Sequence, residues 1–148
     1  MIRFRDATRQ DVPAVVALLA DDALGAAREG ADLAPYLAAF DAMQAEEGAN
    51  TLIVGEAAGR IVATCQLTVI SGLSLRASRR AQVESVRVAA GLRGRGIGAA
   101  LMAEAEARAR AAGCTLLQLT TNRARGEAHR FYERLGYTPS HLGFKKPL

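Results

Sequence analysis

The chain has 148 residues, half of them apolar, and a formal net charge of +4. This length suits one domain with a substantial core and is short for two. No run approaches the roughly twenty uninterrupted apolar residues of a membrane span, and the N-terminus lacks the pattern of a signal peptide. We therefore expect a cytoplasmic protein. Cys65 and Cys114 have no Cys or His at metal-ligand spacing, which predicts two reduced, buried thiols and no metal site.

The charge is distributed unevenly along the chain. Residues 1–75 carry a net charge of −5, whereas residues 76–148 carry +9. The basic half therefore predicts an acidic ligand, and the acidic half could attract a cationic one, although an ordinary solvated surface would look the same.

The first half of the chain contains strands and helices in alternation. Residues 2–5 alternate as a short strand, and cap residues before Val12 predict a helix that fades towards Gly25. The pattern then indicates a helix over residues 33–46, two strands at hairpin spacing over 51–57 and 61–70, and a polar, basic loop over 71–80.

The second half begins with a strand over residues 83–88, a glycine-rich turn, an Ala-rich helix to Ala112 and a strand over 115–120. Such a crossover predicts two parallel strands. A helix over 126–135 closes at Gly136, and residues 137–148 predict one or two final short strands. The fold class is α/β, in a single domain that spans residues 1–148.

The turn between residues 93 and 98 reads Arg-Gly-Arg-Gly-Ile-Gly. Its glycines bring backbone N–H groups close to a ligand, and the following helix presents its positive N-terminal end there. Arg93 and Arg95 add forked donors that suit phosphate oxygens. Neither the P-loop nor the dinucleotide fingerprint is met. The turn predicts an anion site, although a solvated link between strand and helix is the alternative.

Three motifs in this order resemble the GNAT superfamily of acyl-CoA-dependent N-acetyltransferases, over essentially the whole chain. Arg93, Gly96 and Gly98 match the family's pyrophosphate signature, and the strand over 83–88 precedes it as in the family. The later motif is matched by Asn122, Ala128, Phe131, Tyr132, Leu135, Gly136 and Tyr137.

The resemblance implies a mixed central sheet of six to seven strands with helices on both faces and splayed parallel strands 83–88 and 115–120. It implies acetyl transfer from acetyl-CoA to a primary amine by direct attack, without a metal. The final strands of this fold often pair across a two-fold axis, which favours a homodimer. The residues implied in binding acetyl-CoA are Val86, Arg87, Val88, Arg93, Gly94, Arg95, Gly96, Ile97, Gly98, Ala99, Asn122 and Phe131.

Two residues are the candidates for catalysis. Glu84 interrupts an apolar strand beside the expected acetyl group and could take the amine's proton, whereas the alternative is a structural salt bridge to an Arg such as Arg87. Tyr132 matches the position of the family's general acid, although it also lies on an apolar helix face where aromatic residues usually serve the core.

Other readings stay open at this point. A CoA-binding regulatory module would keep the turn without efficient chemistry on an acceptor. A nucleic-acid binder would need exposed aromatic residues, and the sequence does not suggest them. The acceptor could be a small-molecule amine or a protein amine. Asp21, Asp22 and His141 could border its site, although the favoured explanation is a solvated helix end for the two aspartates and a loop position without function for the histidine.

Overall fold

The computed structural model describes residues 1–148 as two compact units, Met1–Gln118 and Leu119–Leu148. The strands are β1 (Arg3–Asp6), β2 (Asn50–Ala57), β3 (Arg60–Ile70), β4 (Arg80–Val88) and β5 (Leu116–Leu119). The helices are α1 (Val12–Leu19), α2 (Ala23–Arg28), α3 (Ala34–Ala45), the single turn α4 (Ser74–Ala77), α5 (Ile97–Ala111) and α6 (Gly126–Arg134).

The five strands form one sheet in the order β1-β2-β3-β4-β5. Strands β1 to β4 pair antiparallel with their neighbours. At the start of β4, the N–H of Thr115 donates to the carbonyl of Arg79 (2.9 Å), and three residues further along each strand Gln118 bonds to Gln82. The two strands therefore run in the same direction, as the crossover predicted, and the mixed α/β sheet is confirmed.

Both faces of the sheet are covered. Val54 packs with Val15, Val16 and Phe40 of α1 and α3 in one core cluster. Its neighbour Ile53 must point to the opposite face, and it too is fully buried. Successive side chains of these strands point to opposite faces of the sheet. Because both faces are buried, the strands are continuous apolar runs in the sequence.

The second face lies beneath α5, which buries Leu101, Met102 and Ala105. Cys65 of β3 lies on this face, close to Glu104 and Arg108 of α5, and burial raises the pKa of its thiol to about 12. Cys65 and Cys114 are both free and buried, as predicted.

The predicted strand count is wrong at the C-terminus. The sheet has five strands instead of six to seven, and residues 137–148 form no strand. Leu142 and Phe144 have strand-like alternation, yet they are 68% and 91% exposed. A strand needs a partner for its backbone hydrogen bonds, and this segment pairs with no strand of its own chain.

The predicted first helix is interrupted. It ends at Leu19, and a new helix, α2, begins after Asp22, whose side chain accepts a hydrogen bond from the N–H of Gly25 (2.5 Å). The loop predicted over 71–80 contains α4, in which Leu75 and Arg76 take left-handed conformations, and β4 begins earlier than predicted, at Arg80.

Candidate active site

Strand β4 contains a bulge opposite Cys65. Thr64 of β3 pairs with Arg87 and Gln66 pairs with Glu84, so Ser85 and Val86 together face the single residue between them. Ser85 takes a left-handed conformation with φ 55°. A bulge disrupts the ladder and leaves backbone groups without their regular partners. The regular pairing of β4 with β3 is therefore interrupted at residues 85–86.

The glycine turn begins directly after β4 and a short 3₁₀ turn, Ala90–Leu92. Gly94 and Gly96 have φ of 75° and 80°, which residues with side chains rarely adopt. The first hydrogen bond of α5 joins the N–H of Ala100 to the carbonyl of Gly96 (3.0 Å). The N–H groups of residues 97–99 precede it and have no partner within the helix. The turn thus presents a row of donors at the positive end of a 15-residue helix.

Arg93 stabilises this turn by donating hydrogen bonds to two backbone carbonyl groups. Its Nε donates to the carbonyl of Val88 (3.1 Å), and its Nη2 donates to the carbonyl of Asp21 (3.0 Å). The Asp21 carboxylate accepts a hydrogen bond from the N–H of Ala90 (3.0 Å). Arg93 therefore joins the end of β4 to the loop between α1 and α2, while Arg95 is exposed and makes no hydrogen bond in the structure.

Asp22, considered as a site for an ammonium group, is engaged elsewhere. Besides capping α2, its Oδ2 lies 3.8 Å from Nε of Arg87. The side chains of Arg87 and Asp22 are only 16% and 22% exposed, so this contact is shielded from solvent. Arg87 also donates from Nη1 to the carbonyl of Val86 (2.9 Å), inside the bulge.

Glu84 is exposed, and its Oε1 accepts a hydrogen bond from Nε2 of Gln82 (2.7 Å). The alternative salt bridge to Arg87 is not formed, since Arg87 contacts Asp22 instead. Because of the bulge, Glu84 and Arg87 nevertheless share one face of β4, on the side of the sheet where α1 and α3 pack against Val54. The carboxylate is thus free of a competing cation and available to a ligand on that face.

Next to Glu84 across the strand pair lies Gln66, which the sequence reading did not select. Its Nε2 donates to Oδ1 of Asn50 (2.8 Å), which also accepts from the hydroxyl of Thr68 (3.3 Å). Gln66 lines an open, mainly apolar groove of about 150 Å³ between α1, α3 and the sheet. Other residues that line this groove include Val16, Leu19, Tyr36, Phe40, Met43 and Leu52.

The second unit holds the remaining candidates. Asn122 caps a turn before α6, since its Oδ1 accepts from the N–H of Ala124 (2.9 Å). Tyr132 contacts Phe131 and Tyr137 edge to face, with ring centroids 5.0 and 5.9 Å away. Gly136 closes the helix with φ 92°. The three rings pack together in a half-buried cluster, so the aromatic motif has a structural role within this unit whatever else it does.

The structure brings together the predicted residues of the first unit along one path. Glu84, the bulge at Val86, Arg87 and Val88, and the turn with Gly94, Arg95, Gly96, Ile97, Gly98 and Ala99 follow one another from the middle of β4 to the start of α5. Gln66, Gln82 and Gln118 were missed, and Asp21, considered as a site for an ammonium group, instead bonds to Ala90 and Arg93. The alternation of residues 82 and 84 on one strand face could have pointed to Gln82.

Residues 14–137 match the Acetyltransferase (GNAT) family. The chain therefore belongs to this family, and the predicted resemblance is confirmed. None of its helices combines the length and apolar character needed to cross a bilayer.

Known proteins similar to the chain include a curated enzyme and two solved structures. The chain is 42% identical to an aminoalkylphosphonate N-acetyltransferase from Salmonella typhimurium over 67 residues. These 67 residues make up 45% of this chain and 44% of that protein. A structure described as a transcriptional regulator from Bacillus halodurans C-125 is 39% identical with a TM-score of 0.95, covering 100% of both chains. A putative acetyltransferase from Agrobacterium tumefaciens is 29% identical with a TM-score of 0.87, covering 99% of both.

Proposed function

We propose that the protein transfers the acetyl group of acetyl-CoA to a primary amine of a small molecule by direct attack in a ternary complex. The observation that carries the proposal is the arrangement along β4, where a bulge that interrupts the strand pairing leads into a glycine turn with a row of N–H donors. Coenzyme A carries a pyrophosphate that suits such a turn, and its thioester carbonyl suits a backbone donor.

In this proposal the turn from Gly94 to Ala99 binds the pyrophosphate through its N–H groups. Arg95 adds a positive charge at the surface, whereas Arg93 holds the turn in shape. The pantetheine lies along residues 86–88 as an added strand would. Family membership supports acetyl-CoA as the acyl donor. Asn122 and Phe131 are proposed to contact the same co-substrate.

The chemistry proposed at the bulge needs two proton transfers. An amine attacks only when uncharged, so Glu84 removes a proton from the substrate ammonium, directly or through water. The nitrogen then forms a bond to the thioester carbon, and the N–H of Val86 stabilises the oxyanion. The C–S bond breaks, the electron pair leaves on sulfur, and the Tyr132 hydroxyl supplies the proton that converts the thiolate to free CoA.

A small-molecule acceptor is favoured over a protein amine by the groove beside Gln66. A groove of about 150 Å³ with mostly apolar walls suits a compact amine with an apolar portion. The curated relative is named for aminoalkylphosphonates, which are small-molecule amines. The chain spans 44% of that protein's length in the match, so the acceptor class is part of the proposal.

A second candidate is a regulatory module that binds CoA without efficient acetyl transfer. It is favoured by one observation, the 39% identity to a protein described as a transcriptional regulator. It would use the same turn. The difference lies in whether Glu84 and an acceptor take part.

A homodimer is the proposed assembly. Leu142, Phe144 and Leu148 expose large apolar side chains in the segment that forms no strand within its own chain. A second copy of the chain could cover them and supply a strand partner. The proposed setting is the cytoplasm, with no membrane or nucleic-acid partner.

The test is calorimetric titration with acetyl-CoA, followed by measurement of released thiol with 2-aminoethylphosphonate, spermidine and a lysine peptide. We expect acetyl-CoA to bind, and Arg95→Ala to weaken binding more than Arg134→Ala, a change at an exposed arginine of α6. Release of CoA with an amine supports the enzyme. Binding without release from any amine supports the regulatory module, and absence of binding contradicts both.

A further inference from the structure

The carboxylate of Glu84 lies at the end of a chain of two glutamines. Nε2 of Gln118 on β5 donates to Oε1 of Gln82 on β4 (2.9 Å), and Nε2 of Gln82 donates to Oε1 of Glu84 (2.7 Å). Residues 82 and 84 are two apart and share a strand face, and β5 runs parallel beside them. Three side chains from two strands thus form one continuous row.

The orientation of the Gln82 amide is determined at both of its ends. A carboxylate only accepts hydrogen bonds, so the NH₂ group of Gln82 must face Glu84. Its carbonyl oxygen then faces β5, where Gln118 supplies the donor that it needs. If the Gln82 amide were reversed, two acceptor oxygens would meet at the Glu84 end and two donors at the Gln118 end.

No other side chain holds Glu84 in place. Its cross-strand neighbour Gln66 donates to Asn50, and Arg87 contacts Asp22. The Oε2 atom of Glu84 makes no hydrogen bond within the chain. The hydrogen bond to Gln82 therefore decides the rotamer of an exposed carboxylate that would otherwise sample several.

We propose that Gln82 and Gln118 are positioning residues for the general base. They hold Oε1 of Glu84 and leave Oε2 to meet the substrate ammonium. This inference rests on the proposed function, because it needs Glu84 to take the amine's proton. Gln82 acts through Glu84 and does not itself touch the reacting atoms.

The kinetic test is a double-mutant cycle with 2-aminoethylphosphonate, spermidine and the lysine peptide as amines. Gln82→Met keeps the length of the side chain and removes its hydrogen bonds. We expect it to lower kcat about tenfold, the low end for the loss of a hydrogen bond to a charged group, with the KM for acetyl-CoA unchanged. In a Glu84→Ala background the same change should have no further effect on kcat. The matched control, Gln10→Met at an exposed position outside the row, should leave kcat unchanged.

The second readout does not need an acceptor. In ¹H–¹⁵N spectra of the full chain, Glu84→Ala should move the side-chain amide signals of both Gln82 and Gln118. The Gln10 signal should stay in place.

Three outcomes would overturn the inference. These are an unchanged kcat in Gln82→Met, an equal loss of kcat in the Glu84→Ala background, or amide signals of Gln82 that ignore Glu84. Failure of the proposed function is a distinct result. If the wild-type chain releases no CoA with any amine, the proposed function is contradicted, and the positioning role is contradicted with it because there is no base to position. The spectra still report whether the row of hydrogen bonds exists.

Discussion

At the scale of single residues, Asp11 makes the most strongly connected ion pair of the structure. Nη1 and Nη2 of Arg5 donate to its two carboxylate oxygens at 2.7 and 3.1 Å, and the N–H of Thr8 donates to it at 2.7 Å. The guanidinium of Arg5 is the main cause that lowers the pKa of Asp11 from 3.8 to about 2. With only 12% of its side chain exposed, this pair is shielded well enough to matter for stability.

We predict that Asp11→Asn lowers the free energy of unfolding by about 2 kcal/mol at neutral pH, since each unit of pKa is worth about 1.4 kcal/mol. The folded pKa lies below the unfolded one, so the contribution is complete above pH 4 and declines as pH falls towards 2. Urea unfolding at pH 7 and pH 3 measures this. The gap between the two proteins should narrow at pH 3. Glu47→Gln, an exposed carboxylate without such partners, should show no gap at either pH.

Gly25 is a second residue whose identity follows from its surroundings. A Cβ atom there would lie 1.9 Å from the carbonyl oxygen of Leu19, a backbone atom that cannot move aside. We predict that Gly25→Ala destabilises the chain by about 1–3 kcal/mol, the usual cost of overpacking. Thermal unfolding beside Gly30→Ala checks this, because the space around Gly30 is open. Equal melting temperatures would contradict the close approach.

At the scale of elements, the turn between β4 and α5 depends on backbone conformation more than on side chains. Gly96 has open space around it, so only its φ of 80° opposes a side chain there. The left-handed conformation costs a residue with a Cβ about 1–2 kcal/mol. The row of N–H groups is therefore available only if the turn keeps this shape.

We predict that Gly96→Ala weakens acetyl-CoA binding about tenfold, because the alanine shifts the turn out of its left-handed conformation. Gly91→Ala is the matched control, since Gly91 has open space and no left-handed backbone. Calorimetry on both variants measures the difference. If both bind as the wild-type chain does, the turn is not the pyrophosphate site.

Local patterns predicted most elements, and they failed where an element depends on distant atoms. The hairpin β2–β3 and helix α6 follow from alternation, helical spacing and a closing glycine, all of which are local signals. The break between α1 and α2 depends on contacts with the glycine turn, about seventy residues away. The bulge in β4 is equally invisible in the sequence, because Ser85 has a positive φ that the sequence would lead one to expect only of Gly, Asn or Asp. The contact between Gln82 and Gln118 follows only from the pairing of β4 with β5.

At the scale of the whole molecule, the C-terminal segment leaves apolar surface without cover. Leu142 and Phe144 alternate with Gly143 and Lys145, so an added strand would bury the first two on one face. The unequal charge of the two halves fits an anionic co-substrate, but it does not explain the exposed apolar side chains of this segment. The proposed dimer explains them, because a second copy of the chain would cover them.

We predict that a Leu142→Ser, Phe144→Ser double variant shifts the chain from dimer to monomer, because it removes the apolar side chains that a second copy would bury. Sedimentation equilibrium measures the mass. A Lys145→Ser, Lys146→Ser variant changes the same segment without removing apolar surface and should stay dimeric. A wild-type chain that sediments as a monomer would contradict the assembly.

Because both cysteines are buried, we expect the folded protein not to react with thiol reagents. Cys65 lies wholly inside the sheet beneath α5, and the raised pKa of its thiol keeps it protonated. Aromatic disulfide reagents are used to detect released CoA. They therefore react only with the CoA thiol as long as α5 stays packed on the sheet. When α5 lifts from the sheet, Cys65 becomes a target, so the slow labelling rate in the absence of substrate reports how often this region opens.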